Sequence, residues 1–217
     1  MPPKPKFTRE EIVDAALELV SKQGIEHLTT RNLGEKLGSS ARPIFTVFLS
    51  MEEVQQGVRD VALEKFNSYI SEILNYTPAF KEAGIRMVRF AKKEPKLFQL
   101  LFMTENKQSS DPTSFFGNMG YFEKICTEVI CRDYGLAPNE AKVLFQYMWT
   151  YTYGISALCA THTCMFSEEE IADRLGTVFL AITSLIKSGN MELTTPPPVL
   201  GTDLERFKTN EILAGLK

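Results

Sequence analysis

Cys159, His162 and Cys164 are the residues of this chain best suited by type to hold a metal or carry a reactive thiol. On a helix Cys159 and His162 would share a face, whereas Cys164, five positions beyond Cys159, points elsewhere. No CxxC pair and no second histidine cluster completes a tetrahedral set. Cys126 and Cys131 lie in apolar stretches, and all four cysteines read as reduced thiols acting as small core residues. Ser184 and Lys187 match the short Ser-x-x-Lys pattern, but near the end of a periodic helix a lysine simply favours the dipole. No phosphate loop, nucleophile elbow, zinc spacing or dinucleotide fingerprint is present. These residues point away from an enzyme, and neither a metal nor a cofactor is expected.

A second constellation, between Thr29 and Phe48, has a different chemistry to offer. Thr29, Thr30 and Arg31 stand at a helix start, where backbone amides and a cation can meet phosphate. Ser40, Ala41, Arg42, Pro43, Phe45 and Thr46 follow a Gly38 bend, and a guanidinium at Arg42 matches the two acceptors of guanine. Contact of Arg42 with phosphate or solvent alone is the plainer alternative. Lys4 and Lys6 add either a basic arm or a merely disordered tail.

The elements that must position these residues are helical throughout. Thr8 and Glu11 form a capping box ahead of Ile12, Ala15, Ala16, Leu19 and Val20, and Gly24 stops that helix near Gln23. A second helix starts at Thr29 and Thr30, carries Leu33 and Leu37, and ends at Gly38. A third is expected from a Ser40 cap through Ile44 to about Val47. Gly34 would let two helices approach closely, and Gly38 suits a positive φ. Pro43 loses no helical hydrogen bond at that position, but it disfavours helical dihedrals at Arg42.

Further periodic runs cover 51–75, a helix through Ile85, Val88, Phe90 and Ala91 to Pro95, a short apolar segment at 97–103, and helices at 121–134, 138–163 and 167–188. Ser167 and Glu170 form a second capping box. Residues 104–120 are rich in turn formers, and a tail from Pro196 onward has one possible short helix at 202–214. No strand and no repeat is evident. The expected fold is all-α: a three-helix helix-turn-helix DNA-binding domain at 1–50, a helical ligand-binding and dimerisation domain at 51–190, and a Pro-rich tail at 191–217.

With 217 residues, 44% of them hydrophobic and 24% charged, the composition is that of a globular protein. The net charge of −3 excludes a chain that is basic throughout, so any nucleic-acid surface must be local. No apolar run is long enough to span a bilayer, and the basic residues 1–6 are followed by no apolar h-region, so a cytoplasmic protein without membrane contact is expected.

The ordered set Thr8, Ile12, Ala15, Ala16, Leu19, Gly24, then Thr29, Thr30, Leu33, Gly34, Gly38, then Ser40, Ile44, Phe45, Phe48 resembles the N-terminal domain of TetR-type transcriptional regulators over about residues 8–54. The resemblance implies a homodimer that places two recognition helices in successive major grooves of double-stranded DNA. Its reader would be 40–47, and repression is the family's usual habit. Two positions depart from the pattern: Phe45 stands where a tyrosine usually meets phosphate, and Met51 where a lysine does. Weaker, less salt-sensitive DNA binding follows from their loss. Phe90, Ala91, Pro95, Leu97, Phe98, Leu100 and Phe102, with Trp149, Tyr153 and Gly154, resemble the ligand domain of one TetR subgroup, in which a histidine usually precedes that glycine.

From the residues alone, 143–160 is apolar nearly all round, and the helix at 167–188 carries small residues at Ala172, Gly176 and Ala181. These two helices are expected either to pair with a symmetry mate as a four-helix bundle or to be buried within one chain. Phe90, Phe98, Phe102, Phe115, Tyr121, Trp149 and Tyr153, with Phe116, Met119 and Met148 nearby, are candidate lining for a small apolar or aromatic effector. The alternative is a helix-turn-helix-fold protein acting through ligand or protein partners without specific DNA binding.

Overall fold

The computed structural model describes residues 5–104 and 119–189, and the expected tail helix at 202–214 lies outside them. Eight α-helices are present among the described residues: α1 (Arg9–Gln23), α2 (Thr30–Lys36), α3 (Met51–Ser71), α4 (Ala79–Lys93), α5 (Pro95–Phe102), α6 (Tyr121–Tyr134), α7 (Pro138–Ala160) and α8 (Glu168–Lys187). None is long and apolar enough to cross a membrane. The described residues up to Thr183 make one compact unit, and a second begins at Ser184. Of the second, 184–189 are described, and the Ser188 amide donates back to the Ser184 carbonyl.

Both capping boxes form. The Glu11 amide donates to Thr8 Oγ1 at 3.1 Å while the Thr8 amide donates to the Glu11 carboxylate at 2.8 Å. Ser167 and Glu170 do the same at 3.2 and 2.9 Å. Each box satisfies two amides that would otherwise be orphaned at a helix start. The run from Met51 stays α-helical to Ser71 and then tightens into a 3₁₀ turn at Glu72–Asn75.

The head is built from α1, α2 and the Ile44–Thr46 turn, closed by Ile12, Ala16, Val20, Leu33, Ile44 and Phe48, all essentially buried. It rests on α3 and α5, because α1 packs against both. Contact with α3 is close: a Cβ on Gly57 would stand 3.0 Å from Val13 Cγ2. Behind the head, α4 packs against α7, α6 against α7, and α3 against α4, α5 and α6. Phe66 on α3 is the hub of this core, meeting Phe90, Phe102 and Phe122 edge-on with ring centroids 5.0–5.5 Å apart. Such contacts add about 0.5–1.5 kcal/mol per pair to the burial itself.

Candidate DNA interface and effector pocket

The segment expected to read DNA is not an α-helix. Only Ile44–Thr46 is helical, with 3₁₀ geometry, and Pro43 precedes it at φ −60°, ψ −29°. The Ile44 amide donates to the Ala41 carbonyl at 3.1 Å and the Thr46 amide to the Pro43 carbonyl at 3.3 Å, both i→i−3. The Ser40 side chain caps nothing. Proline disfavours α geometry at Arg42 and supplies no donor of its own, so the turn begins late and tight.

Backbone crowding fixes where this segment sits. A Cβ on Gly34 would lie 3.0 Å from the Ser39 carbonyl oxygen and 3.4 Å from the Ala41 nitrogen, so the second limb presses directly on α2. Gly38 makes the bend at φ +61°, a conformation that favours glycine. Ile44 and Phe48 point inward and are buried, which turns Ser40, Arg42, Phe45 and Thr46 outward as exposed residues, with Ala41 and Pro43 half-buried. The Thr46 hydroxyl is already used, donating to the Pro43 carbonyl at 2.6 Å. Leu49, which the sequence did not single out, is 95% exposed beside them.

At the start of α2 the Thr29 hydroxyl accepts from the Asn32 amide at 3.2 Å, while Thr30 is half-buried. Arg31 is exposed and pairs with Glu35 at 3.0 Å. Lys36 pairs with Glu18 at 2.6 Å, and the Lys36 hydrogen bond holds the Glu18 carboxyl below its ordinary range. Arg9 pairs with Glu53 at 2.7 Å and lies over the Phe48 ring at 4.3 Å. Glu53 is held low by the Leu49 amide and by Arg9. Lys6 donates to Ser39 Oγ at 3.0 Å, and Lys4 lies outside the described residues. Among the described residues Arg42 has no carboxylate partner.

Three cations tie the body of the molecule together beneath the head. Arg59 on α3 donates to the Leu100 carbonyl at 2.7 Å, Lys65 pairs with Glu94 at 2.7 Å, and Lys96 on α5 reaches Glu26 of the head at 3.7 Å.

The expected ligand-lining residues divide. Phe90 and Phe98 are buried in the aromatic core, and Tyr153 stacks beside Phe98 with its hydroxyl donating to the Phe102 carbonyl at 3.2 Å. Burial pushes the Tyr153 phenol up. The rings of all three are taken up by core neighbours. Phe102, Tyr121, Trp149 and Met119 border a cleft of ≈ 430 Å³ together with Arg59 and Asp60 of α3. Phe115 and Phe116 lie outside the described residues. A separate pocket of ≈ 270 Å³ opens between α4, α6, α7 and α8, lined by Phe80, Met87, Met148, Trp149, Leu175 and Phe179. Phe122 and Trp149 border both.

No family model matches the chain. The crystal structure of a TetR-like transcriptional regulator from Rhodococcus sp. RHA1 superposes on 84% of this chain and 99% of that one, with a TM-score of 0.61 and 14% identity. The chain has the TetR-like fold. A local likeness in sequence accompanies it: 33 residues are 54% identical to the class D tetracycline repressor of Escherichia coli and, equally, to the class H protein of Photobacterium damsela subsp. piscicida. That stretch spans 15% of this chain and 15% of each repressor.

Within this TetR-like fold the outer face of α7 and α8 carries a largely apolar groove edged by Gln146, Thr150 and Arg174. Tyr147, Tyr151, Gly154 and Leu158 form a stripe on α7 facing the groove that Val178 and Ile182 of α8 also line. Tyr147 is 54% exposed and Leu158 38%.

One group escaped the sequence reading altogether. Arg86 on α4 is buried, donating to the Tyr69 carbonyl at 2.8 Å, to Glu72 at 2.6 Å and to Glu82 at 3.0 Å. Its guanidinium lies over the Tyr69 ring at 4.8 Å. Arg89 extends the network from Glu82 to Glu168 at the start of α8. Thus α4 shows its apolar face to the pocket while its charged face grips the far end of α3. A lone arginine in an amphipathic pattern looks like a solvated one, so no signal in the sequence announced it.

Proposed function

We propose that this protein is a ligand-responsive transcriptional regulator that binds palindromic double-stranded operator DNA as a homodimer and represses. The reading is carried by the outward projection of Arg42 from a glycine-bent, proline-started turn whose other side, Ile44 and Phe48, is buried in the head. Residues 1–50 form the reader and residues 51–190 the sensing and pairing part. Arg42 reads guanine, with Ser40, Ala41, Pro43, Phe45 and Thr46 against neighbouring base edges or phosphates. Thr29, Thr30 and Arg31 hold the backbone through amides and charge. The apolar outer face of α7 and α8 supports pairing of two chains into a four-helix bundle.

Coupling runs through α3. It follows the reader directly, supports it through Gly57 against Val13, and is gripped at its far end by Arg86. A small apolar or aromatic effector that displaces α4 pulls on that end and alters the separation of the two readers. Half-sites about 34–36 Å apart tolerate little misalignment.

Selection of bound duplexes from a random pool tests the reading. The expected product is an inverted repeat with half-sites about one helical turn apart. Failure to enrich any sequence would overturn it. A second reading, a helix-turn-helix-fold protein acting through ligand or protein partners, is supported by the pairing of Arg9, Arg31 and Lys36 to carboxylates. Absence of duplex retardation at low salt would favour it.

A further inference from the structure

The interior of a folded chain is close-packed, with few voids larger than a water molecule. The ≈ 270 Å³ pocket between α4, α6, α7 and α8 departs from that rule. Its volume approaches twice the ~150 Å³ of an apolar cavity that stays dry and takes up benzene. Two fused rings, or one ring with a short alkyl chain, are of the right size.

Two glycines make the space. Gly84 on α4 and Gly176 on α8 both line the pocket, and a Cβ on Gly176 would meet nothing within 4 Å. Gly84 is tighter, since a Cβ there would stand 3.0 Å from Leu175 Cδ1.

Thr152 brings a hydroxyl to this carbon surface, on whose lining Tyr134 and Trp149 also stand. Thr152 is 4% exposed and lines the pocket, with its Oγ1 3.8 Å from the point where a Gly84 Cβ would sit. The neighbouring helix threonines Thr150 and Thr161 bond back to the Gln146 and Ala157 carbonyls, whereas the Thr152 hydroxyl has no partner among the described residues. The sealed hydroxyls without a partner among the described residues are those of Ser156 and Thr183, whereas Thr152 lies on the pocket lining. The only cation on the lining, Lys81, is exposed to solvent, so nothing inside compensates a buried ligand charge.

We infer that this pocket binds a neutral aromatic or alkyl-aromatic molecule of about two-ring size carrying one hydrogen-bonding group, which Thr152 meets. The inference rests on the ligand-responsive reading above and narrows it. It also moves the site away from Phe90, Phe98 and Tyr153, whose rings pack against core neighbours.

The test is calorimetric titration of the full chain with 2-naphthol, naphthalene and 2-naphthoate. Wild type is expected to bind 2-naphthol and naphthalene once per chain and to show no heat with 2-naphthoate. Thr152→Val, which keeps the shape and removes the hydroxyl, should weaken 2-naphthol about fivefold, the worth of one hydrogen bond, and leave naphthalene unchanged. Gly176→Leu fills the space on a helix that gains from losing glycine, so it should melt no lower than wild type and bind neither probe. Thr152→Val keeps the test readable if Gly176→Leu folds poorly. Binding of no probe by wild type, equal binding of 2-naphthoate, full binding by a folded Gly176→Leu protein, or an unaltered 2-naphthol affinity in Thr152→Val would each overturn the inference. Duplex retardation on the same preparations separates the two levels. DNA bound without any probe binding sinks this inference alone, whereas no DNA bound sinks the regulator reading.

Discussion

Asp133 Oδ2 accepts a hydrogen bond from the Ala79 amide at 2.9 Å, so a carboxylate at the end of α6 caps the first turn of α4. Pro78, at the capping position itself, has no side chain that could do so. Arg132 steadies the carboxylate with contacts of 2.6 and 3.0 Å. Asp133→Ala should therefore cost about 1–2 kcal/mol, the range for losing a helix cap, measured by urea unfolding.

The same residue carries a pH signature. The Arg132 hydrogen bond, aided by the Ala79 amide, holds the Asp133 carboxyl below its ordinary value against the opposing effect of burial. A depressed folded value means that the stabilisation is complete above the unfolded pKa of about 3.9 and is lost as pH falls through the folded one. The stability gap between wild type and Asp133→Asn should accordingly be constant from pH 7 to 5 and shrink below about pH 4. A gap that widens with acid would contradict the assignment.

Much of the fold was legible in local pattern. Thr8 with Glu11 and Ser167 with Glu170 announced two helix starts because each box is complete within four residues. The start of α4 was not, since its cap comes from Asp133, 54 positions away. At the reader, Pro43 warned of an irregular entry, yet the sequence still suggested an α-helix where a 3₁₀ turn stands. Of the lining expected for an effector, Trp149 and Met148 border the proposed pocket. Aromatic residues draw the eye as lining, but Phe90 packs on Phe66 and Phe98 on Phe102, and the space itself comes from Gly84 and from Gly176, which the sequence pattern offered only as a helix-contact residue.

Arg42→Ala should weaken operator binding by about 1–3 kcal/mol and relax preference at one base pair of each half-site. Arg42→Lys should recover part of the affinity without the base preference, since lysine lacks the bidentate fork. Repeating the duplex selection with each variant reads both effects. Identical selected sequences from all three proteins would take Arg42 out of base recognition.

Phe45 is 46% exposed on the same surface. Phe45→Tyr restores a hydroxyl able to donate to phosphate and should tighten DNA binding by about 0.5–1.5 kcal/mol. The logarithmic salt slope should barely change, because a neutral donor displaces no counterion. Met51→Lys, in contrast, should steepen that slope by about 0.9 if the ammonium reaches a phosphate. Retardation over a salt series distinguishes the two.

The four thiols differ in access. Cys164 is exposed, Cys131 half-buried, and Cys126 and Cys159 buried, with burial pushing the Cys126 thiol far up. A chromogenic disulfide reagent should modify Cys164 first, Cys131 more slowly, and the other two only on unfolding. Peptide mapping after brief labelling would reveal any early modification of Cys126, which would contradict the packing of α6.

The tightness of the Ile44–Thr46 turn limits how much text a single subunit can read. With only Ile44–Thr46 in the turn and Ile44 pointing inward, few side chains fan out from it toward one surface. On the proposed reading, each half-site then holds only two or three discriminating letters. A genome offers such short words in great number, and the length of the gap between the two words must carry the rest of the address. Inserting or deleting one base pair at the operator's centre would therefore do more harm than most changes within either half.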